Sequence, residues 1–66
     1  MSTLKVGLIG AGGISRVHAD AWRALGAQGY VTSLAGAEEI AEEYGFELVA
    51  DVDALIDLVD LVDIVT

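Results

Sequence analysis

The stretch KVGLIGAGGISRVHA, Lys5 to Ala19, changes character twice. Leu4 to Ile9 reads as a strand apolar on both faces, the pattern of a central parallel strand covered by helices on each side. Gly10 to Gly13 breaks it. From Ile14 onward apolar residues recur at Val17, Ala21 and Leu25, with Trp22 adjoining, which is helical spacing. Gly26 is placed to end that helix in a left-handed cap. A strand, a glycine turn and a helix in this order are the setting of the dinucleotide fingerprint G-x-G-x-x-G. Gly10 and Gly12 supply its first two glycines, and Ser15 stands at the third. The first permits a tight turn, the second lets backbone approach a pyrophosphate, and the third allows close helix–strand packing, where a small residue serves. Gly13 adds a further position without a side chain. A turn with no ligand is the competing reading; the flanking strand and helix favour a phosphate cradle.

Further along, Tyr30 to Leu34 is rich in strand formers, with Gly29 weakening its start. Ala37 to Tyr44 reads as a helix with Ile40, Ala41 and Tyr44 on one side and Gly45 as its stop. Its acids Glu38/Glu42 and Glu39/Glu43 are like-charge pairs four apart, expected on a solvated face. Leu48 to Ala50 is a short third strand, and Asp51 or Asp53 is placed to cap a helix running to about Leu58. The segment DALIDLVDLVDIVT carries aspartates at 57, 60 and 63, a spacing that suits one helix nearly as well as a helix followed by a strand. Asp-Ile-Val-Thr is poor helix material, so a fourth strand over Val62 to Thr66 is expected. The order β-α-β-α-β-α-β implies right-handed crossovers and part of a doubly wound parallel α/β sheet, the Rossmann type.

The Rossmann reading places an acid about twenty residues beyond the glycines, at the end of the second strand, to hold the ribose hydroxyls. That position is Ser33 or Leu34, and no carboxylate is there. Ser33, with Thr32 beside it, either hydrogen-bonds a ribose hydroxyl or a 2′-phosphate, the latter leaning towards NADP, or is an ordinary strand-end polar residue. No arginine accompanies it, so the choice between NAD and NADP stays open.

Composition bounds the rest. Sixty-six residues make one small domain at most, yet 55% are hydrophobic. A chain this short buries only about 60% of its unfolded surface. Some apolar surface should therefore meet a partner, as in part of a larger protein or in an obligate associator such as a homo-oligomer. Three bases against eleven acids give a formal charge of −8. Nucleic acids and anionic membrane surfaces demand clustered bases, which are missing. A dinucleotide does not, since backbone N–H groups at a helix mouth can hold a pyrophosphate. There is no cysteine, and no segment approaches the roughly 18 apolar residues of a membrane span. The glycines and Lys5 interrupt any leader-like run, so a cytoplasmic location is expected.

Other reactive types read as structural. His18, the single histidine, is expected to pack or hydrogen-bond, and Trp22 to pack. Asp57, Asp60 and Asp63 lack the convergent loop of a cation site and are expected on a solvated face or at a strand end. Arg16 either reaches a phosphate or pairs with Asp20. No Ser–His–Asp arrangement can be assembled.

The segments LKVGLIGAGGISRVHADAWRAL, AEEIAEEYGFE and VADVDALI…VDIVT resemble the opening of the Gfo/Idh/MocA oxidoreductases, which include glucose–fructose oxidoreductase and inositol dehydrogenase. The intervening QGYVTSLAG matches poorly. The resemblance implies that residues 1–66 are the N-terminal part of an NAD(P)-binding domain, with a substrate domain absent from this chain. It implies hydride transfer between NAD or NADP and a sugar, polyol or related substrate bound only by a longer chain. The cofactor contacts it carries over are Gly10, Ala11, Gly12, Gly13 and Ile14, Ser33 at the end of strand two, and Thr66 at the end of strand four. It carries no catalytic residue onto these positions, because the family's catalytic lysine and histidine belong to later segments. Two other readings stand beside it. One is a non-enzymatic truncated Rossmann module that binds nucleotide weakly or only self-associates. The other is a domain serving a different adenine nucleotide, such as S-adenosylmethionine.

Overall fold

A computed structural model describes residues 3–10, 12–33 and 35–65. Among them the chain forms a four-stranded, wholly parallel sheet and three helices. The elements are β1 (Lys5–Ile9), α1 (Gly13–Ala24), β2 (Gln28–Thr32), α2 (Ala37–Tyr44), β3 (Glu47–Leu48), α3 (Val52–Leu58) and β4 (Leu61–Ile64). The strand order is β3-β2-β1-β4, so the chain winds outward in one direction from β1 and then returns to its other side. This is the doubly wound α/β arrangement expected.

Strand alternation assigns the two faces. Leu8 and Val31 join Ala19 of α1 and Ala37, Ile40 and Tyr44 of α2 in one buried cluster, with Phe46 and Val65. Tyr30, Val49 and Leu55 of α3 form a second cluster on the opposite face, with Ile9, Ala54 and Val59 against it. Leu8, Val31, Ile40 and Leu55 are essentially inaccessible, which at about 25 cal/mol per Å² makes them the main apolar contributors to stability.

Several boundaries differ from expectation for identifiable reasons. β2 begins at Gln28 rather than Tyr30 and takes in Gly29, which pairs with Val6. A Cβ at Gly29 would overlap the Phe46 ring, so the glycine is there to seat that ring on the strand. β3 is two residues, Glu47–Leu48, rather than Leu48–Ala50; it is an edge strand paired only to β2. β4 runs over Leu61–Ile64, not Val62–Thr66, in register with Val6 to Ile9; Thr66 lies outside the described residues. The break inside the aspartate-rich segment does occur. Asp51, not Asp53, caps α3, its Oδ1 accepting the Ala54 N–H at 2.8 Å. Gly26 and Gly45 both take left-handed conformations after their helices.

The residues whose spacing marks α1 as a helix lie on its outer side: Ile14, Val17 and Leu25 are 50%, 62% and 75% exposed and Ala21 is exposed too, while Trp22 packs as expected. The inward stripe is Ser15, Ala19 and Trp22, flanked by His18. Ser15 and Ala19 are completely buried. At Ser15 and Ala19 the helix lies too close to the sheet for more than a small side chain, the requirement behind the third fingerprint position, and Trp22 packs partly buried at the flank.

α1 is tied to its neighbours by polar contacts as well. Arg16 pairs with Glu43 and, at 3.5 Å, with Glu39, both on α2, rather than with Asp20 or a phosphate-facing space. The acids expected to be merely solvated thus hold the two helices together, while Arg23 lies over the Tyr44 ring at 5.1 Å. On the other flank, His18 Nδ1–H donates to Asp63 Oδ2 at 2.7 Å, and Trp22 Nε1–H donates to the same oxygen at 2.8 Å. Asp63 is therefore no solvated aspartate: it is mostly buried on β4 and latches α1 to that edge strand. Asp60 has a strand-end role, its Oδ2 accepting the Lys5 backbone N–H at 3.0 Å.

Burial pushes the Asp63 carboxyl up, but the hydrogen bonds from Trp22 and His18 and the attraction of His18 outweigh it, leaving the group below the ordinary value of 3.8. A depressed carboxyl contributes stability that is fully present above its unfolded value and is lost as pH falls through the folded one. Acid unfolding should therefore steepen below about pH 4. Asp63→Asn should remove that portion of the pH dependence and cost about 1–2 kcal/mol at neutral pH, since both donors then meet a neutral carbonyl oxygen in place of a charged one. Urea midpoints of both proteins between pH 3 and 7 check this; parallel curves would contradict it.

Candidate functional site

The carboxyl ends of β1, β2 and β4 meet at one edge of the sheet, beside the point where the strand order reverses between β1 and β4. In open α/β sheets ligands bind in the crevice outside the strand ends at such a switch point. The glycine turn stands here. Gly10 leaves β1 with φ +116, a backbone conformation that favours glycine, and its N–H donates to the Thr32 carbonyl at 3.0 Å. A Cβ at this residue would run into the Val65 carbonyl oxygen, so β4 and the turn touch backbone to backbone.

Gly12 is the N-cap of α1 and has no side-chain cap bond; Gly13 is the first helical residue. Around both, a Cβ would meet no atom within 4 Å. Among the described residues nothing crowds the mouth of α1 and no side chain caps its first amides, of which the Ser15 N–H turns back to the Gly12 carbonyl at 3.0 Å. A helix N-terminus so arranged carries roughly half a positive charge and unsatisfied donors. Ile14 contributes an amide to this first turn while its side chain is half-exposed. Ala11 lies outside the described residues. Ser15 sits beneath the turn, fully buried, with no hydrogen-bond partner for its Oγ among the described residues. It works as a small residue under a close-packed helix.

At the end of β2, Ser33 is half-buried and its Oγ–H donates to the Ala35 carbonyl at 2.6 Å. Ser33 borders two hollows. One, of about 250 Å³, lies over the strand ends and is lined by Ile9, Thr32, Ser33, Ala50, Asp51 and Val52. The other, of about 400 Å³, lies between the start of α2 and the end of β3, with Gly36, Ala37 and Glu38 on one side and Leu48, Val49 and Ala50 on the other. Gly10, Gly12, Gly13 and Ser33 thus gather at the same sheet edge. Glu38, Ala50 and Asp51 join them and were not singled out from the sequence as site residues. Their signal was faint, because residues after a two-residue edge strand and in a helix's first turn gain meaning only once the strand order is known.

A combination of bare amides for phosphate, an apolar hollow and a few polar groups fits a dinucleotide. The match with known protein families points the same way: the model of an oxidoreductase family with an NAD-binding Rossmann fold, Gfo/Idh/MocA, covers residues 4–66. The chain belongs to the Gfo/Idh/MocA family. Comparisons with curated proteins and with solved structures each returned no match. Membership accounts for the open helix mouth, the switch-point crevice and the β3-β2-β1-β4 order together, and a nicotinamide dinucleotide is the ligand class of this family's Rossmann domain. Among the described residues no group of three or more His, Cys, Asp or Glu side chains converges as a metal site, and no helix is long and apolar enough to cross a membrane.

Proposed function

We propose that this chain is the cofactor-holding part of an oxidoreductase that transfers hydride between a nicotinamide dinucleotide and a sugar, polyol or related substrate. On this reading residues 1–66 form the N-terminal part of the Rossmann domain, and the substrate domain and catalytic groups belong to a longer chain. The observation that carries it is the uncapped, side-chain-free mouth of α1 at Gly12 and Gly13, set at the switch point. The amides of Gly12, Gly13 and Ile14 would hold the pyrophosphate, with Gly10, whose own N–H is given to Thr32, shaping the turn, and Ser33 with the adjoining hollows would take the adenosine. Thr66, outside the described residues, stays a cofactor contact on the strength of the family pattern alone. When bound, the nicotinamide supplies the hydride acceptor or donor; the chain's own part is to bind and orient it.

Titration of the chain with NADH, read by energy transfer from Trp22, tests this. Saturable binding that competes with ADP-ribose but not with S-adenosylmethionine is expected. Absence of binding by a folded chain would overturn the reading.

The exposed flank of α1 at Ile14, Val17 and Leu25, beside the unpaired edge of β4, favours a second reading that adds to the first: association with another copy. Val17→Asp should lower the weight-average mass in sedimentation without lowering helicity. An unchanged mass, or a monomeric parent chain, would count against it.

A further inference from the structure

A 2′-phosphate and a free ribose hydroxyl ask opposite things of a protein. The phosphate, with a charge between −1 and −2 near neutral pH, needs donors and cations; the hydroxyl also offers a proton and is well served by an acceptor. The residues around Ser33 can be sorted by that difference.

Ser33 has already committed its proton. Its Oγ–H donates to the Ala35 carbonyl at 2.6 Å, which leaves only lone pairs facing outward. It can accept from a ribose hydroxyl without disturbing the turn, but it can donate to a phosphate only by giving up that bond. Glu38, in the first turn of α2, lines the larger hollow together with Ser33 and Gly36. Its carboxylate is an acceptor and a negative charge. Asp51 lines the smaller hollow, again an acid. Neither hollow has a lysine or arginine among its lining residues.

The chain's three bases are placed elsewhere. Lys5 begins β1 at the opposite edge of the sheet. Arg16 is held by Glu43 and Glu39, and Arg23 lies over Tyr44. A net charge of −8 adds a repulsive background for every extra negative charge on a ligand.

We propose that the larger hollow, between the start of α2 and the end of β3, selects the unphosphorylated adenosine ribose, with Glu38 and the lone pairs of Ser33 as hydroxyl acceptors, so that the chain takes NAD and rejects NADP. Glu38 does from α2 what an acid at the end of β2 does in other dinucleotide-binding sheets, reaching the hollow across the turn that Gly36 makes with φ +83. The inference rests on the dinucleotide reading above and narrows it to one cofactor.

Calorimetric titration of the 66-residue chain with NADH and with NADPH tests it, at low and at high salt. NADH should bind at least about tenfold more tightly, a difference of about 1.4 kcal/mol. The gap should narrow as salt screens the acids. Glu38→Gln should shrink the ratio several-fold, mainly by weakening NADH, and Glu38→Arg should strengthen NADPH. Glu38 is exposed, so both variants should keep the parent's circular dichroism. NADPH binding as tightly as NADH, or a ratio indifferent to both substitutions, would overturn the selection while leaving the dinucleotide reading intact. Binding of neither cofactor would overturn both.

Discussion

Gly10→Ala should lose about 3 kcal/mol of stability, a large share of what so small a chain has. Native domains are stable by roughly 0.05–0.15 kcal/mol per residue, which for a chain of this size is about 3–10 kcal/mol in all. Holding a residue with a side chain at φ +116 costs on the order of 1–3 kcal/mol. The added methyl would also run into the Val65 carbonyl oxygen, which is backbone and has no rotamer to retreat into. Val65 is itself pinned, its N–H donating to the Ile9 carbonyl at 2.8 Å, while Gly10 is held to Thr32 on the other side. Relief therefore requires β1, β2 and β4 to shift together. Urea unfolding followed by far-ultraviolet circular dichroism measures the loss, and a change within about 0.5 kcal/mol, the range of neutral surface substitutions, would contradict the backbone contact.

Gly12→Asp should have the opposite profile: a fold as stable as the parent or slightly more so, and dinucleotide affinity reduced at least about 100-fold. Gly12 is the N-cap of α1, with φ −77 and ψ −174, values any residue adopts, and a Cβ there meets nothing. Aspartate is among the best N-cap residues and exceeds glycine by a few tenths of a kcal/mol, with a further gain from the helix dipole. The same carboxylate would occupy the amides and the space where the proposed function seats the pyrophosphate and would repel it. A 100-fold loss corresponds to about 2.7 kcal/mol. Thermal unfolding and NADH titration of the variant give the two halves of the result. Unchanged affinity would show that the phosphates do not sit at the mouth of α1. Because Gly10 and Gly12 lie two residues apart in one motif, the contrast between the variants separates what the turn does for the fold from what it does for a ligand.

Much of the architecture was legible in single residues. Leu4 to Ile9 announced a covered strand by being apolar on both faces, and the glycines after it announced a turn. Gly26 and Gly45 marked helix ends because a positive φ is local to one residue. Asp51 announced its helix as a capping side chain three residues from the amide it binds. The clustering of Gly10, Gly12, Gly13 and Ser33 at one edge was legible too, since parallel strands joined by helices bring all their carboxyl ends to the same side. Glu38 was passed over because its spacing from Glu42 fits an ordinary solvated face equally well. Only the turn at Gly36 and the nearness of β3 give its carboxylate a hollow to line.

Local chemistry, in short-range periodicity, capping and permitted dihedrals, was enough to determine the order of strands and helices and the character of the glycine turn, because each of those signals is complete within a few residues. Two matters required the folded chain. Ile14, Val17 and Leu25 of α1 turned outward while Ser15 and Ala19 turned inward, because close helix–strand packing admits only small residues at the contact itself, with Trp22 partly buried at its flank. Asp63 became the anchor for His18 and Trp22, 45 and 41 residues earlier, because a parallel sheet places β4 beside β1 and beneath α1. Periodicity within β4 carries no trace of partners that far away.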